Sequence, residues 1–487
     1  MTQQQLEKYL WGAATLLRGH MDAGDNKQYI FPLLFFKRIC DVYDEEYEQA
    51  IEDSGGDLDY ASFAENHRFK VPNGSHWKDV RSVTRNVGQA LQQAMRDLEK
   101  ANQEKLFGIF GDAPWTNKDR LSDETLINLV EHFSQHSLSI KNVPQDELGN
   151  AYEYLIKQFA DDSGHTAAEF YTNRTVVRLM TLIADPQPGE SVYDPTCGSG
   201  GLLLNCALQL KNAGKEYRSL KLYGQEINLI TSSIARMNMF MHGIEDFQVV
   251  RGNTLTNPAF LEDDRLKQFD IILANPPYSI KAWDQKGFVN DSYGRNIWGT
   301  PPQGTADYAF QQHIQKSLDP ELGRCVVLWP HGVLFRDAEA EMRRKMIKSD
   351  VVDTVVGLGP NLFYNSPMES CLLICRTNKP ENRKGKILFI NAVEEVRTEK
   401  AVSYLEEKHI QKIAEAYHYY NEIEGFSAIR SIEEVLNHKA SLNISLYLSN
   451  VRNNGEIQKG LPELIEEWKK SSSDLKYSIN KLLTELK

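Results

Sequence analysis

The sequence has few cysteines and no long hydrophobic run. Its six cysteines are scattered over 487 residues, without a C-x-x-C pair or the paired Cys/His spacing of a zinc site. Cys371 and Cys375 lie in an apolar run, where we expect reduced, buried thiols. The longest apolar stretch near the N-terminus, 30–36, is interrupted by Pro32 and is far shorter than the roughly 20 residues that span a bilayer. No secretory leader pattern opens the chain, so we expect an intracellular, cytoplasmic protein.

The sequence also lacks an excess of basic residues. Its 55 lysines and arginines stand against 67 acidic residues, which gives a net charge of −12. A protein that binds nucleic acid unaided usually has a basic surface, because contacts to phosphates supply much of the affinity. If this chain acts on DNA, we therefore expect a partner to contribute to binding. At about 150 residues per domain, the length predicts several domains.

Three regions differ in their hydrophobic periodicity. Residues 1–164 have apolar residues at helical spacing and predict a helical domain. Residues 165–392 alternate apolar strands with helices, which predicts a doubly wound α/β fold with a mostly parallel, Rossmann-like sheet. Within this region the less regular stretch 279–305 predicts a surface loop near the site. Residues 393–487 predict helices again. The apolar stripe over 461–486 suits packing on its own domain or docking on a partner, and the pattern leaves both open.

The first chemical motif is a glycine-rich turn between a strand and a helix. A strand at 191–193 leads into Asp194 and then into Gly198-Ser199-Gly200, after which a helix begins. Glycines let the backbone approach a ligand closely, and the first N–H groups of a helix lack internal partners. The pattern is neither a Walker loop nor the dinucleotide-binding G-x-G-x-x-G. It predicts a ligand loop, although such turns also occur as plain connections.

Two later strands end in side chains that can bind a nucleoside. Glu226 follows the strand at 221–223 and can accept hydrogen bonds from ribose hydroxyls. Asn253 follows the strand at 248–250 and can pair with an adenine edge. Each residue alone is more often a solvated strand end or a helix cap. Together with Asp194 they predict a site for a nucleoside-containing cofactor.

The most specific motif is the tetrad Asn275-Pro276-Pro277-Tyr278, which follows a strand at 270–273. Neither proline has a backbone N–H, so the Asn275 side-chain oxygen and the Pro276 carbonyl can present two fixed acceptors. Two acceptors on an aromatic amine favour a more tetrahedral nitrogen as its lone pair attacks a methyl group. Tyr278 adds a ring on which an extruded base can stack. The tetrad therefore predicts catalysis of methyl transfer to an amine; the simpler alternative is a Pro-Pro loop after a strand.

These motifs resemble those of the S-adenosylmethionine-dependent amino-methyltransferases of DNA. The turn at 194–200 resembles motif I and the tetrad at 275–278 resembles motif IV. The segment 168–174 resembles motif X, and its place before motif I is that of the N6-adenine group. Over nearly its whole length the chain resembles the methylation (M) subunit of a type I restriction-modification system. Further segments that resemble this subunit are 33–46, 306–310, 329–335 and 362–364.

The resemblance implies S-adenosylmethionine as the cofactor and N6-adenine DNA methylation as the activity, with no metal and no cysteine nucleophile. It assigns the methionine end of the cofactor to Glu169, Phe170, Tyr171 and Thr172, its backbone-facing side to Gly198, Ser199 and Gly200, its ribose to Glu226, its adenine to Asn253, and the target adenine to Asn275, Pro276, Pro277 and Tyr278. Within this assignment Thr172 would lie near the cofactor carboxylate. Asn173 and Cys197 depart from the proline and alanine that are common in the family.

The resemblance also implies partners. Such subunits act on double-stranded DNA with a flipped adenine and depend on a specificity (S) subunit, with a second copy of the M subunit and, as a further candidate, a restriction (R) subunit. We expect the N-terminal block to close around DNA and the C-terminal helices to dock on the partner. Two alternatives stay open: a protein-glutamine N5-methyltransferase, because the tetrad also suits a side-chain amide, and a non-catalytic architectural subunit that retains the fold.

Overall fold

The N-terminal region is built from helices around one long central helix. The computed structural model describes residues 1–19, 21, 23–162, 171–362, 368–399, 402–448 and Trp468. Its first helices are α1 (Gln3–Leu16), α2 (Ala23–Asp53), α3 (Leu58–Ala61), α4 (Trp77–Arg81), α5 (Val87–Ala101), α6 (Gln103–Leu106), α7 (Asp123–Phe133) and α8 (Gln145–Asp162). Residues 29–40 of α2 are buried on every side, which is typical of a helix at the centre of a bundle. Pro32 lies within this helix without ending it.

The region that follows alternates strands and helices. Its elements are α9 (Arg174–Ala184), β1 (Ser191–Asp194), α10 (Gly201–Asn212), β2 (Lys221–Glu226), α11 (Leu229–Met241), β3 (Phe247–Arg251), β4 (Leu261–Glu262), β5 (Arg265–Leu266), β6 (Ile271–Ala274), α12 (Gln285–Val289), α13 (Asp307–Lys316), β7 (Arg324–Pro330), α14 (Ala340–Lys348), β8 (Val352–Leu358), β9 (Ser370–Arg376), β10 (Lys386–Ala392), β11 (Arg397–Glu399), β12 (Val402–Tyr404), α15 (Glu407–Tyr419), β13 (Ser427–Ser431) and α16 (Ile432–Asn437). The predicted strands at 191–193, 221–223, 248–250 and 270–273 correspond to β1, β2, β3 and β6.

Nine of these strands form the central sheet, in the order β13-β10-β8-β9-β7-β6-β1-β2-β3. All neighbouring pairs are parallel except those that involve β9 and β13. The chain enters the sheet at β1, runs outward to β3, and then returns to β6 on the other side of β1. The strand order therefore reverses between β1 and β6, where doubly wound sheets bind their ligands. The predicted doubly wound, mostly parallel sheet is confirmed.

Helices cover both faces of the sheet. On one face Val192 and Leu273 belong to an apolar cluster with residues of α9, α10 and α15. On the other face Tyr193 and Ile272 belong to a cluster with residues of α13 and α14. The alternation of neighbouring side chains between the two clusters follows from the two-residue period of a strand. The helical N-terminal region has its own cluster, which α11 joins through Met237, so this region packs directly on the α/β region.

The chain after residue 392 differs from the predicted run of helices. Its described part contains the hairpin β11–β12 and the strand β13, which pairs antiparallel with β10. The five-residue sequence of β13 has little strand propensity of its own, and its pairing with β10 determines its conformation. The predicted amphipathic stripe at 461–486 lies outside the described residues, apart from Trp468. The predicted domain boundary at 164/165 also lies outside them and stays a prediction.

Candidate active site

The glycine turn and the tetrad are neighbours in space. Val192 and Tyr193 of β1 pair in parallel with Ile271 and Ile272 of β6, so the loops that follow the two strands emerge at the same edge of the sheet. A narrow cleft lies between these loops and the segment at 171–174. The predicted residues that line it are Tyr171, Thr172, Asp194, Gly198, Ser199 and Asn275. Glu169 and Phe170 lie outside the described residues.

The glycine turn depends on two backbone angles that favour glycine. Gly198 has φ +53° and Gly200 has φ +79°, both in the left-handed region. The turn is tied to the end of β2, because the Cys197 N–H donates to the Gln225 carbonyl over 2.9 Å. The Gly198 N–H donates to Glu226 Oε2 over 3.0 Å. Glu226 thus holds the turn in place from the neighbouring strand.

Two acidic side chains meet behind this turn. Asp194 is almost completely buried, and burial together with the nearby charge of Glu226 raises the pKa of its carboxyl to about 8. Glu226 accepts a second hydrogen bond, from the Asn228 N–H over 2.8 Å. Asp194 lines the cleft, whereas Glu226 lies behind the turn and does not line it. A cation in the cleft would favour the ionised form of Asp194.

Both polar atoms of the Asn275 side-chain amide form hydrogen bonds. Asn275 Nδ2 donates to the Thr172 hydroxyl over 3.0 Å. The Tyr278 hydroxyl donates to Asn275 Oδ1 over 2.6 Å. Burial raises the pKa of Tyr278 well above its ordinary value, so this hydroxyl stays protonated and remains a donor. Because Thr172 binds the nitrogen of the amide, the oxygen is the end that faces Tyr278.

Thr172 therefore contacts the tetrad, a contact that the sequence alone did not predict. The resemblance placed this residue near the cofactor carboxylate. It does line the cleft, but its hydroxyl accepts a hydrogen bond from Asn275. The two residues are 103 positions apart in the chain, and no local pattern could reveal the pair.

A buried glutamate that the sequence analysis missed links three segments around the cleft. Glu153 of α8 forms an ion pair of 2.7 Å with Arg174, the first residue of α9. Asn238 Nδ2 of α11 donates to Glu153 Oε1 over 3.2 Å and to the Ser199 carbonyl over 3.1 Å. Glu153 and Arg174 also line the cleft. The pattern of α8 marks only an amphipathic helix, so the burial of this charge appears only in the fold.

Asn253 has a different position from the one expected of an adenine-binding residue. Its side chain is exposed, and Oδ1 accepts from the N–H groups of Leu255 over 3.0 Å and Thr256 over 3.4 Å. It stabilises the turn after β3 and does not line the cleft. The structure thus brings Asn253 to the expected strand end without bringing it into the cleft.

The two departures from the family pattern both have a structural explanation. Asn173 caps α9, because its Oδ1 accepts from the Thr175 N–H over 3.0 Å, and its Nδ2 donates to the Ser403 carbonyl of β12 over 2.9 Å. Cys197 is buried against β2, where a Cβ added at Gly224 would lie 2.9 Å from its sulfur. Burial raises the pKa of the Cys197 thiol, which suits a packing residue.

Comparison with known proteins assigns the family. The pattern that defines the N-6 DNA Methylase family matches residues 143–455, and that of the HsdM N-terminal domain matches 6–133. The type I restriction enzyme MjaVIII methylase subunit of Methanocaldococcus jannaschii is 31% identical, over 96% of this chain and 82% of that protein. The MpnII methylase subunit of Mycoplasma pneumoniae is 28% identical, over 99% and 96%.

A solved structure agrees with these relatives. The methyltransferase subunit of a type I restriction-modification system from Streptococcus thermophilus superposes with a TM-score of 0.79 at 29% identity. The match covers 92% of this chain and 100% of that chain. Among the described residues, no helix has the length and apolar character needed to cross a membrane. The chain belongs to the N-6 DNA methylase family and is a methylase subunit of the type I restriction-modification kind.

Proposed function

We propose that this chain transfers a methyl group from S-adenosylmethionine to the N6 amine of a flipped adenine in double-stranded DNA, as the modification subunit of a type I restriction-modification complex. The observation that carries this proposal is the fixed Asn275 amide. Its nitrogen donates to the Thr172 hydroxyl over 3.0 Å, its oxygen accepts from the Tyr278 hydroxyl, and the residue lines the cleft that the glycine turn forms. An acceptor in that position suits an exocyclic amine.

The cleft has the chemistry that the cofactor requires. S-adenosylmethionine, when bound, supplies an electrophilic methyl group on a cationic sulfur. Asp194 and Glu226 are acids beside one turn, and a nearby cationic ligand favours the ionised form of Asp194. A Cβ added at Gly201 would meet no atom within 4 Å, so the start of α10 leaves open space for a ligand against the backbone.

The proposed cofactor-binding residues follow from this arrangement. Tyr171 and the Gly198–Gly200 turn would hold the methionine part, which Thr172 would border while its hydroxyl accepts from Asn275. The Glu226 carboxylate would bind the ribose hydroxyls. Asn253 would approach the adenine only through its amide nitrogen, because its oxygen is engaged in the turn. Glu169 and Phe170 stay in the proposal on the family resemblance alone.

The tetrad would then act on the base. The target amine donates to Asn275 Oδ1 and to the Pro276 carbonyl, which favours a tetrahedral nitrogen with an available lone pair. The Tyr278 hydroxyl now donates to that same Asn275 oxygen, so an entering amine takes its place. The Tyr278 ring stacks on the base. Pro277 keeps the loop rigid and removes a competing backbone N–H.

The proposed partners are an S subunit, a second M subunit and, in the complete complex, an R subunit. The net charge of −12 supports this view, because an acidic chain gains little from phosphate contacts and needs another chain to bind a DNA site tightly. We propose that the N-terminal helical region closes around the DNA. The family match disfavours the glutamine methyltransferase, and the retained acceptors of the cleft disfavour a purely architectural subunit.

The test is methyl transfer by the complex of this chain with its S subunit. Radiolabelled S-adenosylmethionine and a duplex that contains the target site should yield N6-methyladenine. Asn275→Ala should lower kcat by about 10²–10³-fold, as does loss of one preorganised polar group in other enzymes. Its dissociation constant for the cofactor should stay near that of the unmodified chain. Methylation of glutamine in a protein instead of adenine, or full turnover by Asn275→Ala, would contradict the proposal.

A further inference from the structure

The backbone just after the tetrad is held in an unusual conformation. Ser279 has φ +51°, a left-handed value that costs a residue with a side chain roughly 1 kcal/mol. The entry to the tetrad is fixed by β6, which is paired with strands on both sides. Pro276 and Pro277 have no N–H to anchor the loop. The backbone at Ser279, directly after the tetrad, therefore needs a contact from outside the loop to fix its conformation.

A buried carboxylate, that of Asp307, binds the backbone of Ser279. Asp307, the first residue of α13, is completely buried, and its Oδ1 accepts from the Ser279 N–H over 2.8 Å. Its Oδ2 accepts from Arg336 Nη2 over 2.5 Å. Both oxygens therefore have partners, and one partner is the backbone next to Tyr278.

Arg336, which pairs with Asp307, is itself bound by a second buried acid, Glu339. Arg336 Nε donates to Glu339 Oε2 over 2.9 Å, and the Glu339 side chain is completely buried. The Thr305 hydroxyl donates to Glu339 Oε1 over 3.2 Å. Asp307, Arg336 and Glu339 form a fixed frame beside the tetrad, which we call the exit cluster.

We propose that Asp307 is a positioning residue for methyl transfer. This inference rests on the proposed function and concerns a residue that lies outside both the tetrad and the cofactor cleft. By fixing the Ser279 backbone, Asp307 sets where the Tyr278 ring stands and how its hydroxyl meets Asn275. Asp307 is completely buried and does not line the cleft, so its loss misplaces the tetrad without opening the cofactor site. A misplacement of about 1 Å can lower turnover by about 10²-fold.

The experiment compares variants in the complex with its S subunit. Asp307→Ala removes the acceptor and should lower kcat by about 10- to 100-fold. Asp307→Asn keeps one acceptor oxygen for two donors, the Ser279 N–H and Arg336 Nη2, and should recover only part of that loss. The dissociation constant for S-adenosylmethionine should stay within about twofold for both variants, since the cleft is unchanged. Asp307→Glu keeps the charge but moves the carboxylate oxygens by the length of one methylene, so it should also lower kcat. This variant tests the same contact if Asp307→Ala does not fold.

A matched control is Asp353→Asn. Asp353 is equally buried and accepts from Arg383 Nη1 over 2.9 Å, but it lies near the start of β8, away from the tetrad. Asp353→Asn should lower the melting temperature and leave kcat unchanged. The inference is overturned if Asp307→Ala and Asp307→Glu keep the kcat of the unmodified chain, or if the Asp353 variant loses turnover to the same extent. Failure of the unmodified complex to methylate adenine would instead overturn the proposed function.

Discussion

The replacement of Thr172 by valine tests whether the segment at 171–174 orients the Asn275 amide, the proposed catalytic group. Valine has nearly the shape of threonine but lacks the hydroxyl that accepts from Asn275 Nδ2 at 3.0 Å. Without that acceptor, the amide can rotate and present its nitrogen to the target amine, where two donors would face each other. One side-chain hydrogen bond contributes about 0.5–1.5 kcal/mol. We therefore expect Thr172→Val to lower kcat by about 2- to 13-fold, the same free energy written as a rate ratio.

The assay is the initial rate of methyl incorporation into a duplex at saturating cofactor and DNA, beside a titration of cofactor binding. Thr172→Ser retains the hydroxyl and should keep the kcat of the unmodified chain. The family resemblance makes the opposite prediction, because a residue bound to the cofactor carboxylate would affect cofactor affinity first. A Thr172→Val chain with weakened cofactor binding and unchanged kcat would refute the orientation argument.

Three further predictions concern neighbouring residues. Tyr278→Phe removes the hydroxyl that competes for Asn275 and should keep kcat/KM within about threefold, whereas Tyr278→Ala loses base stacking of about 1–3 kcal/mol and should lower kcat/KM on duplex DNA accordingly. Glu153→Gln weakens the pair with the half-exposed Arg174, so unfolding in urea should show a loss of about 0.5–1 kcal/mol, and calorimetry should show weaker cofactor binding. Asp194 has a pKa of about 8 when folded, above its ordinary value of 3.8, so it stabilises the fold at low pH and loses that effect as pH rises toward 8. Asp194→Asn should flatten the decline in unfolding free energy between pH 5 and pH 8.5, measured without cofactor.

The central strands of the α/β region, such as β6 and β7, were predictable because they are buried and mostly apolar, whereas β3 at the edge of the sheet is largely exposed. The pattern at 270–273 needed only a shift of one residue to become β6, and that at 191–193 gained one residue to become β1. Buried parallel strands have this composition because helices cover both faces of the sheet. The motifs at the strand ends were predictable for the same reason, since polar residues and glycines interrupt an apolar run.

The order of the strands and the contacts between distant segments were not predictable. β9 lies antiparallel between β7 and β8, although it follows both in the chain. β13 depends on its pairing with β10. Glu153 resembles any other charged residue on an amphipathic helix, and only the packing of α8 against α11 buries it. These features arise from tertiary contacts, which periodicity does not encode.

The site is supported by parts of the chain that lie outside the simple strand-and-helix pattern. Proline, common at position 173 in the family, restricts the backbone by its ring. Asn173 restricts it by hydrogen bonds instead, one to the start of α9 and one to the Ser403 carbonyl of the β11–β12 hairpin. Because Thr172 directly precedes Asn173 and binds Asn275, the hairpin after residue 392 is connected to the Asn275 amide through only two residues. The C-terminal part of the described chain therefore helps to hold the geometry of the tetrad as well as completing the sheet.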